Sequence, residues 1–355
     1  MRECLALAEK GTGYVSPNPM VGAVLVKNGT IVARGFHRLF GSPHAEVNCL
    51  DSFRGTTGGT TLYVNLEPCS HTGKTPPCTE RIIASGIKTV VVAMQDPNPL
   101  VAGRGIRKLR SAGIRVITGV LENEAASLNK IFVRHITRHL PYVHVKIAQS
   151  MDGFIAGARR KGWITSLPSR TLVHRWRAMY DAVLVGATTV NIDDPRLNVR
   201  HVSGRDPAVA ILDGSLSVKD SAKVFRGNGG RVFVLADQSS VRKKRRKVER
   251  LQSTGALIIP VIGRNGILPL RAVLKTLYDL QLGSILVEGG SSVFTQFLGA
   301  GVVDELSVFL APIYLKRGVP SFTRESVQRD YKPKMQFNYI DVEEVGTDLL
   351  LRAFN

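Results

Sequence analysis

Glu67-Pro68-Cys69-Ser70-His71-Thr72-Gly73-Lys74-Thr75-Pro76-Pro77-Cys78, with His44-Ala45-Glu46 upstream, sets His44, two cysteines behind prolines and the spare carboxylate of Glu46 in one pattern. Such residues give zinc three protein ligands, leave its fourth position to water, and set a proton carrier beside that water. That is the donor set of a hydrolytic deaminase, whose pattern is His-x-Glu followed by Pro-Cys-x-x-Cys. Glu46 lacks cysteine's affinity for zinc and stands two residues from His44, so it suits acid/base work better than ligation. The wider spacing between Cys69 and Cys78 separates the chain from a generic nucleoside deaminase. Ser42-Pro43 reads as a helix N-cap followed by proline at the first helical position, placing His44 and Glu46 in a first turn; Thr75-Pro76-Pro77 reads the same way ahead of Cys78. Helix N-termini favour negative charge and so help a cysteine bind as thiolate. Cys4 and Cys49 read as small buried hydrophobes.

A chain of 355 residues is long for one domain and comfortable for two. No apolar run reaches the length of a membrane helix, and Met1-Arg2-Glu3-Cys4 does not begin a signal peptide. With four cysteines and no disulfide framework, the expected setting is the reducing cytoplasm, without membrane attachment. The net charge of +20 is spread over both halves. It would draw phosphorylated ligands into clefts. Nucleic acid is the sharper alternative, but aromatics make up only 6% and no basic segment is interleaved with them, so no nucleic-acid partner is expected. The densest basic run, Arg242-Lys243-Lys244-Arg245-Arg246-Lys247, reads as the solvated face of one helix.

Strand and helix patterns alternate in each half. In the first, a helix over 2–10 precedes a hairpin of 21–27 and 31–36 through Asn28-Gly29. Strands follow at 60–66, 89–94 and 114–120, with helices from 43, up to Gly86, near 103–112, and one long helix from 122. This is a three-layer α/β/α domain over 1–140. His135 and His139 fall at helical i,i+4 spacing without a third nearby ligand. The second half, 141–355, reads as another α/β domain: strands at 142–149, 181–186, 208–213, 231–236, 257–261, 284–287, 305–311, 336–345 and 348–354, and helices at 168–179, 270–280 and after Gly290. Glu288-Gly289-Gly290-Ser291-Ser292 lies between an apolar strand and a helix, where exposed N–H groups could take a phosphate or merely form a tight turn. It departs from Gly-x-Gly-x-x-Gly, so a Rossmann domain is not expected.

The Cys69–Cys78 stretch, with Ser16-Pro17-Asn18-Pro19-Met20-Val21-Gly22-Ala23 before it and Asp96-Pro97-Asn98-Pro99 after it, resembles the deaminase half of the bifunctional riboflavin-biosynthesis deaminase/reductase family. Lys146-Ile147-Ala148-Gln149-Ser150-Met151-Asp152-Gly153, Trp163-Ile164-Thr165-Ser166, Asp193-Asp194-Pro195-Arg196-Leu197-Asn198-Val199-Arg200 and Val287-Glu288-Gly289-Gly290 resemble its reductase half. The resemblance implies a cytidine-deaminase-like domain followed by a dihydrofolate-reductase-like one, one zinc per chain on His44, Cys69 and Cys78, and NADPH in the second domain. The implied reactions are deamination of 2,5-diamino-6-(5-phosphoribosylamino)pyrimidin-4-one, then reduction of the ribosyl group to ribityl. It further implies Glu46 as proton relay and pyrimidine contacts from Asn18, His37, Lys74, Asp96 and Asn98. Arg177, Thr189, Asp193, Leu197, Arg200 and Glu288 would face the sugar phosphate. Lys146 and Asp193 would orient the sugar and handle its proton. Ala148, Trp163, Thr165, Ser166, Asp193, Gly289, Gly290 and Ser291 would meet the cofactor. A homo-oligomer, dimer or tetramer, is expected.

Two places depart from the family pattern. Arg159-Arg160-Lys161-Gly162 fill a loop where relatives carry Glu and Ser; Arg159, Arg160 and Lys161 would either contact the 2′-phosphate of NADPH or form solvated surface. Lys316-Arg317 stand where many relatives run to Gly-Gly. The competing reading is a nucleic-acid base deaminase with a non-catalytic C-terminal module.

Overall fold

The computed structural model describes residues 1–71, 76–99, 101–158, 162–226, 231–323 and 335–355, and the chain forms two compact units, Met1–Leu140 and Pro141–Asn355. In the first unit, β1 (Gly22–Lys27) and β2 (Thr30–Phe36) form a hairpin through Asn28 and Gly29. Both turn residues have positive φ, 49° and 75°, as a two-residue type I′ turn requires. β1 also pairs antiparallel with β3 (Thr60–Leu66), and β4 (Thr89–Met94) and β5 (Arg115–Thr118) continue the sheet in parallel, in the order β2-β1-β3-β4-β5.

Two glycines fix how helices cover this sheet. A Cβ at Gly22 would lie 2.1 Å from the carbonyl oxygen of Cys4 in α1 (Arg2–Glu9). One at Gly35 would lie 2.3 Å from the backbone nitrogen of Cys49 in α2 (Ala45–Ser52). Gly35 pairs with Ala23, the neighbour of Gly22, and successive strand residues face opposite ways, so α1 and α2 lie on opposite faces. The unit has the expected three layers, completed by α3 (Cys78–Ser85), α4 (Arg104–Ser111), α5 (Glu122–Leu128) and α6 (Lys130–Arg138). Leu25, Leu62, Ile82 and Leu109 are wholly buried in one core, each contributing roughly 1.5–3 kcal/mol relative to exposure.

Helix boundaries differ from expectation at the points that matter. His44 is the N-cap of α2, with extended backbone, and does not lie in its first turn. Ser42 Oγ instead donates to the carbonyl of Leu39. α3 begins at Cys78 with Pro77 as its N-cap, two residues later than Thr75 as N-cap and Pro76 at the first position would give. The long helix from 122 is two helices broken at Asn129 (φ −95°, ψ 19°). His139 is a left-handed C-cap, so the helical spacing with His135 does not carry through.

The second unit is built on β6 (Tyr142–Ser150). Its strands, in chain order, are β7 (Phe154–Gly157), β8 (Ala182–Gly186), β9 (Ala208–Leu212), β10 (Val232–Asp237), β11 (Leu257–Val261), β12 (Ser284–Val287), β13 (Glu305–Ala311), β14 (Gly318–Pro320), β15 (Tyr339–Val345) and β16 (Asp348–Phe354). Nine of these form one sheet, β11-β10-β9-β8-β12-β6-β13-β16-β15, parallel until β16 and β15. β7 and β14 form a separate pair that the sequence reading did not anticipate. The helices are α7 (Leu167–Met179), α8 (Ala187–Asp193, also unanticipated), α9 (Gln238–Lys243), α10 (Arg245–Ser253), α11 (Leu270–Asp279) and α12 (Ser291–Gly299). The basic run is therefore not one helix: Lys244 leaves helical geometry and its Nζ donates to the carbonyl of Ser215. β6 and β12 are flanked on both edges, and their apolar runs are buried on both faces, as central parallel strands require. Among the described residues, no helix is long and apolar enough to cross a membrane.

Candidate active sites

In the first unit a cavity of about 330 Å³ opens over the start of α2. His44, at the N-cap, and Cys69, beyond β3, reach it from two sides, while Cys78 is wholly buried at the start of α3. His44 Nδ1 lies 3.2 Å from Cys78 Sγ and 3.6 Å from Cys69 Sγ. The three ligand atoms all lie within 4.8 Å of one another. A hydrogen bond from Cys78 holds the Cys69 thiol down at about 4, and the same contact, with burial, pushes the Cys78 thiol up. The Cys78 N–H also points at Cys69 Sγ, 3.2 Å away. One imidazole and two soft sulfurs, one stabilised as thiolate, form a donor set that fits zinc. Cys4 and Cys49 are buried elsewhere, with thiols pushed up to about 12 by burial.

Glu46 lies on the cavity floor, only 3% exposed. Burial, with the Cys69 sulfur nearby, pushes its carboxyl up to about 7. Asn18, His37, Asp96 and Asn98 all line the same cavity; Lys74 lies outside the described residues. His37 Nδ1 sits 3.2 Å from the carbonyl of Pro43, which can only accept, so Nδ1 carries the proton. Nε2 is then the acceptor for the Asn18 amide at 3.2 Å, and burial lowers the His37 pKa, keeping the ring neutral. Asn18 Oδ1 is thereby left to accept from a ligand N–H.

Several residues that hold these walls were not singled out from sequence. Glu67, on the rim between β3 and Cys69, accepts backbone N–H groups of Asp96 (3.1 Å), Gly103 (2.9 Å) and Ile106 (3.1 Å). Asn129, at the helix break, accepts from Met20 N (2.8 Å) and donates to Met20 O (3.0 Å). Asn65 accepts from Gly22 N (2.8 Å) and donates to Met20 O (3.0 Å). Nothing in the local sequence marks these roles, because every partner is remote in the chain.

In the second unit, the carboxyl ends of β8, β12 and β6 form the point at which chain order along the sheet reverses, where open α/β sheets place ligands. Glu288 follows β12 and is 7% exposed on its side chain. Arg177 grips it with two nitrogens, at 2.6 and 2.9 Å, and Lys146 Nζ stands 3.5 Å away. Burial alone would raise the Glu288 carboxyl, but the Arg177 and Lys146 charges hold it at about 2. Burial lowers the Lys146 ammonium against the pull of Glu288. The carboxylate set beside Lys146 is thus that of Glu288; Asp193 is exposed at the end of α8.

Asn198 links two arginines, its carbonyl accepting from Arg177 (3.1 Å) and its side chain from Arg200. His174, unnoticed in the sequence, accepts the Arg200 N–H at Nδ1 (3.1 Å); burial, with Arg177 and Arg200 close by, lowers it to about 4. Leu197 is buried in left-handed backbone (φ 57°). A Cβ at Gly290 would meet Thr189 Oγ1 at 3.1 Å, so the start of α12 packs closely against the Thr189 side chain. A Cβ at Gly289 would meet Val293 at 2.9 Å. Ser291 donates to the carbonyl of Pro320.

Ser166 is the N-cap of α7, yet its N–H and hydroxyl both engage Asp348 at 2.8 Å, a buried carboxylate that the sequence reading passed over. Trp163 is 72% exposed, with the Arg170 guanidinium 4.7 Å from its ring centre. Thr165 and Ala148 are half-buried. Residues 159–161 lie outside the described residues. At the other departure, Lys316 takes φ 66°, backbone that favours glycine, and Asp152 accepts its N–H at 2.8 Å. The lysine therefore keeps a glycine-like turn.

Two family models match the chain: the cytidine and deoxycytidylate deaminase zinc-binding region over residues 1–94, and the RibD C-terminal domain over 141–351. The riboflavin biosynthesis protein RibD of Aquifex aeolicus is 43% identical over 355 residues, covering 99% of this chain and 96% of its own. That of Escherichia coli is 36% identical over 365 residues, covering 99% and 97%. Among solved structures, the diaminohydroxyphosphoribosylaminopyrimidine deaminase/5-amino-6-(5-phosphoribosylamino)uracil reductase of Thermotoga maritima superposes with a TM-score of 0.84 at 40% identity, over 100% of this chain and 97% of that one. RibD of Acinetobacter baumannii superposes with a TM-score of 0.85 at 34% identity, over 99% and 97%. Matched along nearly its whole length in sequence and fold, the chain belongs to the RibD family of riboflavin-biosynthesis proteins.

Proposed function

We propose that the cavity over Glu46 and the crevice around Glu288 are the two working sites of a bifunctional riboflavin-biosynthesis enzyme, deaminase in residues 1–140 and reductase in 141–355. The observation that carries the first assignment is a buried carboxylate, Glu46, on the floor of a cavity that His44 and Cys69 also line. His44, Cys69 and Cys78 would hold zinc, which when bound supplies the Lewis acidity that makes water nucleophilic near neutral pH. Glu46, with its carboxyl near 7, can accept a proton from the attacking water and return it to the departing ammonia. Asn18 Oδ1 and the Asp96 carboxylate are acceptors suited to the amino and ring N–H groups of the diaminopyrimidine. Lys74 would add a positive charge for its phosphate.

In the second unit, the Gly289-Gly290 turn, Ser291 and Thr189 fit NADPH, which when bound supplies the hydride. Trp163, Thr165, Ser166 and Ala148 complete that wall in our reading. Arg200 and Leu197 face the sugar phosphate, with Arg177 and Glu288 fixing the cleft between them. Lys146 carries the proton that must accompany hydride transfer to the anomeric carbon, since burial lowers its affinity for that proton. Asp193 orients the opened sugar. The alternative, a nucleic-acid base deaminase with an inert module, is not favoured: the RibD C-terminal family covers residues 141–351.

The test is to supply the diaminopyrimidine phosphate with and without NADPH and identify products by mass. Without NADPH, one amino group should be exchanged for oxygen; with it, the ribityl product should appear. Glu46→Gln should keep zinc, lose roughly 10²–10⁴-fold in deamination, and still reduce the deaminated intermediate. A variant that reduces turnover only by losing zinc would make Glu46 a ligand instead.

A further inference from the structure

Glu67 is 4% exposed and leaves β3 immediately ahead of Pro68 and the Cys69 ligand. Its two oxygens collect three backbone N–H groups from remote parts of the chain. Oε2 takes those of Asp96 and Gly103, and Oε1 takes that of Ile106 in the first turn of α4. The Glu67 N–H itself donates to the carbonyl of Met94, the last residue of β4. Asp96 in turn accepts the Asn98 N–H at 2.9 Å, so the segment bearing both side chains hangs from the Glu67 carboxylate. The junction is tight: a Cβ at Gly105 would come within 2.0 Å of the Pro68 carbonyl oxygen and 3.2 Å of Glu67 Oε1. A carboxylate suits this position because it accepts only, and the first turn of α4 presents positive dipole to it. An amide of the same shape would turn an N–H toward backbone donors and lose at least one of the three bonds.

We propose that Glu67, which lines the cavity with both oxygens engaged by backbone N–H groups, is a positioning residue for deamination that acts on the pyrimidine through Asp96 and Asn98. The inference rests on the deaminase reading above, and its signature is the Michaelis constant. A residue that only stabilises the fold changes the amount of active enzyme; one that aims two substrate contacts changes how tightly each active enzyme binds.

The experiment uses the full chain loaded with zinc, with deamination of the diaminopyrimidine phosphate followed at steady state. Glu67→Gln should raise KM about tenfold, equivalent to ~1.4 kcal/mol, with kcat within about threefold and zinc content unchanged. Asn98→Ala is the partner variant. In its background, Glu67→Gln should raise KM by less than about threefold, because one of the two contacts it positions is already gone and only that of Asp96 remains to be lost. If Glu67→Gln gives no folded protein, Glu67→Asp, which keeps the carboxylate one methylene short, should show the same KM-selective loss at smaller size. An unchanged KM, or effects of Glu67→Gln and Asn98→Ala that multiply fully, would overturn the proposal. A native chain that deaminates nothing would instead sink the deaminase reading.

Discussion

Cys49 and Cys78 are both wholly buried, yet they face different surroundings. Burial pushes the Cys49 thiol up to about 12 in an apolar core, whereas Cys78 meets His44 and the Cys69 sulfur. Cys78→Ser should therefore lose zinc, read by metal analysis, and Cys49→Ser should retain it; equal zinc in both would refute the ligand assignment. That His44, Cys69 and Cys78 come together was legible because residue type and flanking proline are local signals. Glu67, Asn65, Asn129 and Asp348 were not, since a buried carboxylate or amide acquires its role from N–H groups that only the fold brings near. Glu288 lies between these cases: its place after β12 was legible, its grip by Arg177 was not. Its carboxyl falls from an ordinary 4.5 to about 2, so it contributes stability that is fully present above pH 4.5 and lost as pH drops through 2. That contribution is about 3 kcal/mol at neutral pH on an order-of-magnitude basis. Calorimetry of Glu288→Gln should show a lowered transition for the second unit at pH 7, with the gap from the native chain narrowing as pH falls from 4.5 toward 2. A constant gap would mean the carboxylate charge contributes nothing.

At the level of elements, strands were read more closely than helices. β3 and β4 matched residue for residue, because an alternating or apolar run bounded by turn residues is a complete local signal. Helix ends failed where other bonds, near or remote in the chain, outbid capping preference. Ser42 satisfies Leu39 and leaves the N-cap to His44. Asn129 abandons helical geometry to clamp both backbone groups of Met20. The break is thus a support for the segment carrying Asn18, and it predicts a result opposite to intrinsic propensity. Asn129→Ala puts the better helix former at the junction, but takes the acceptor from Met20 N and leaves Met20 O with the Asn65 amide alone. It should destabilise the first unit by about 1–3 kcal/mol and raise KM for the pyrimidine, both measurable on the full chain. A gain in stability would show that α5 and α6 are one helix held apart for no benefit.

For the whole molecule, alternation of strand and helix disclosed two α/β units, and the sheet of each follows that order, while the small β7–β14 pair, too short to carry a pattern, stayed hidden. Two units with separate cores should also answer separately to their ligands, which gives a test of where NADPH binds. A ligand that binds only the folded second unit stabilises it by about 2.7 kcal/mol at a hundredfold excess over its dissociation constant. For a domain of this size, each kcal/mol moves the midpoint by roughly 2–4 °C. NADPH should therefore raise one calorimetric transition of the full chain by about 5–10 °C. The transition that zinc chelation lowers should stay in place. NADH, lacking the 2′-phosphate, should shift the same transition less, and added salt should narrow that difference if exposed cations read the phosphate. Movement of both transitions together would mean the units unfold as one, and no movement would leave the Gly289-Gly290 turn without a cofactor role.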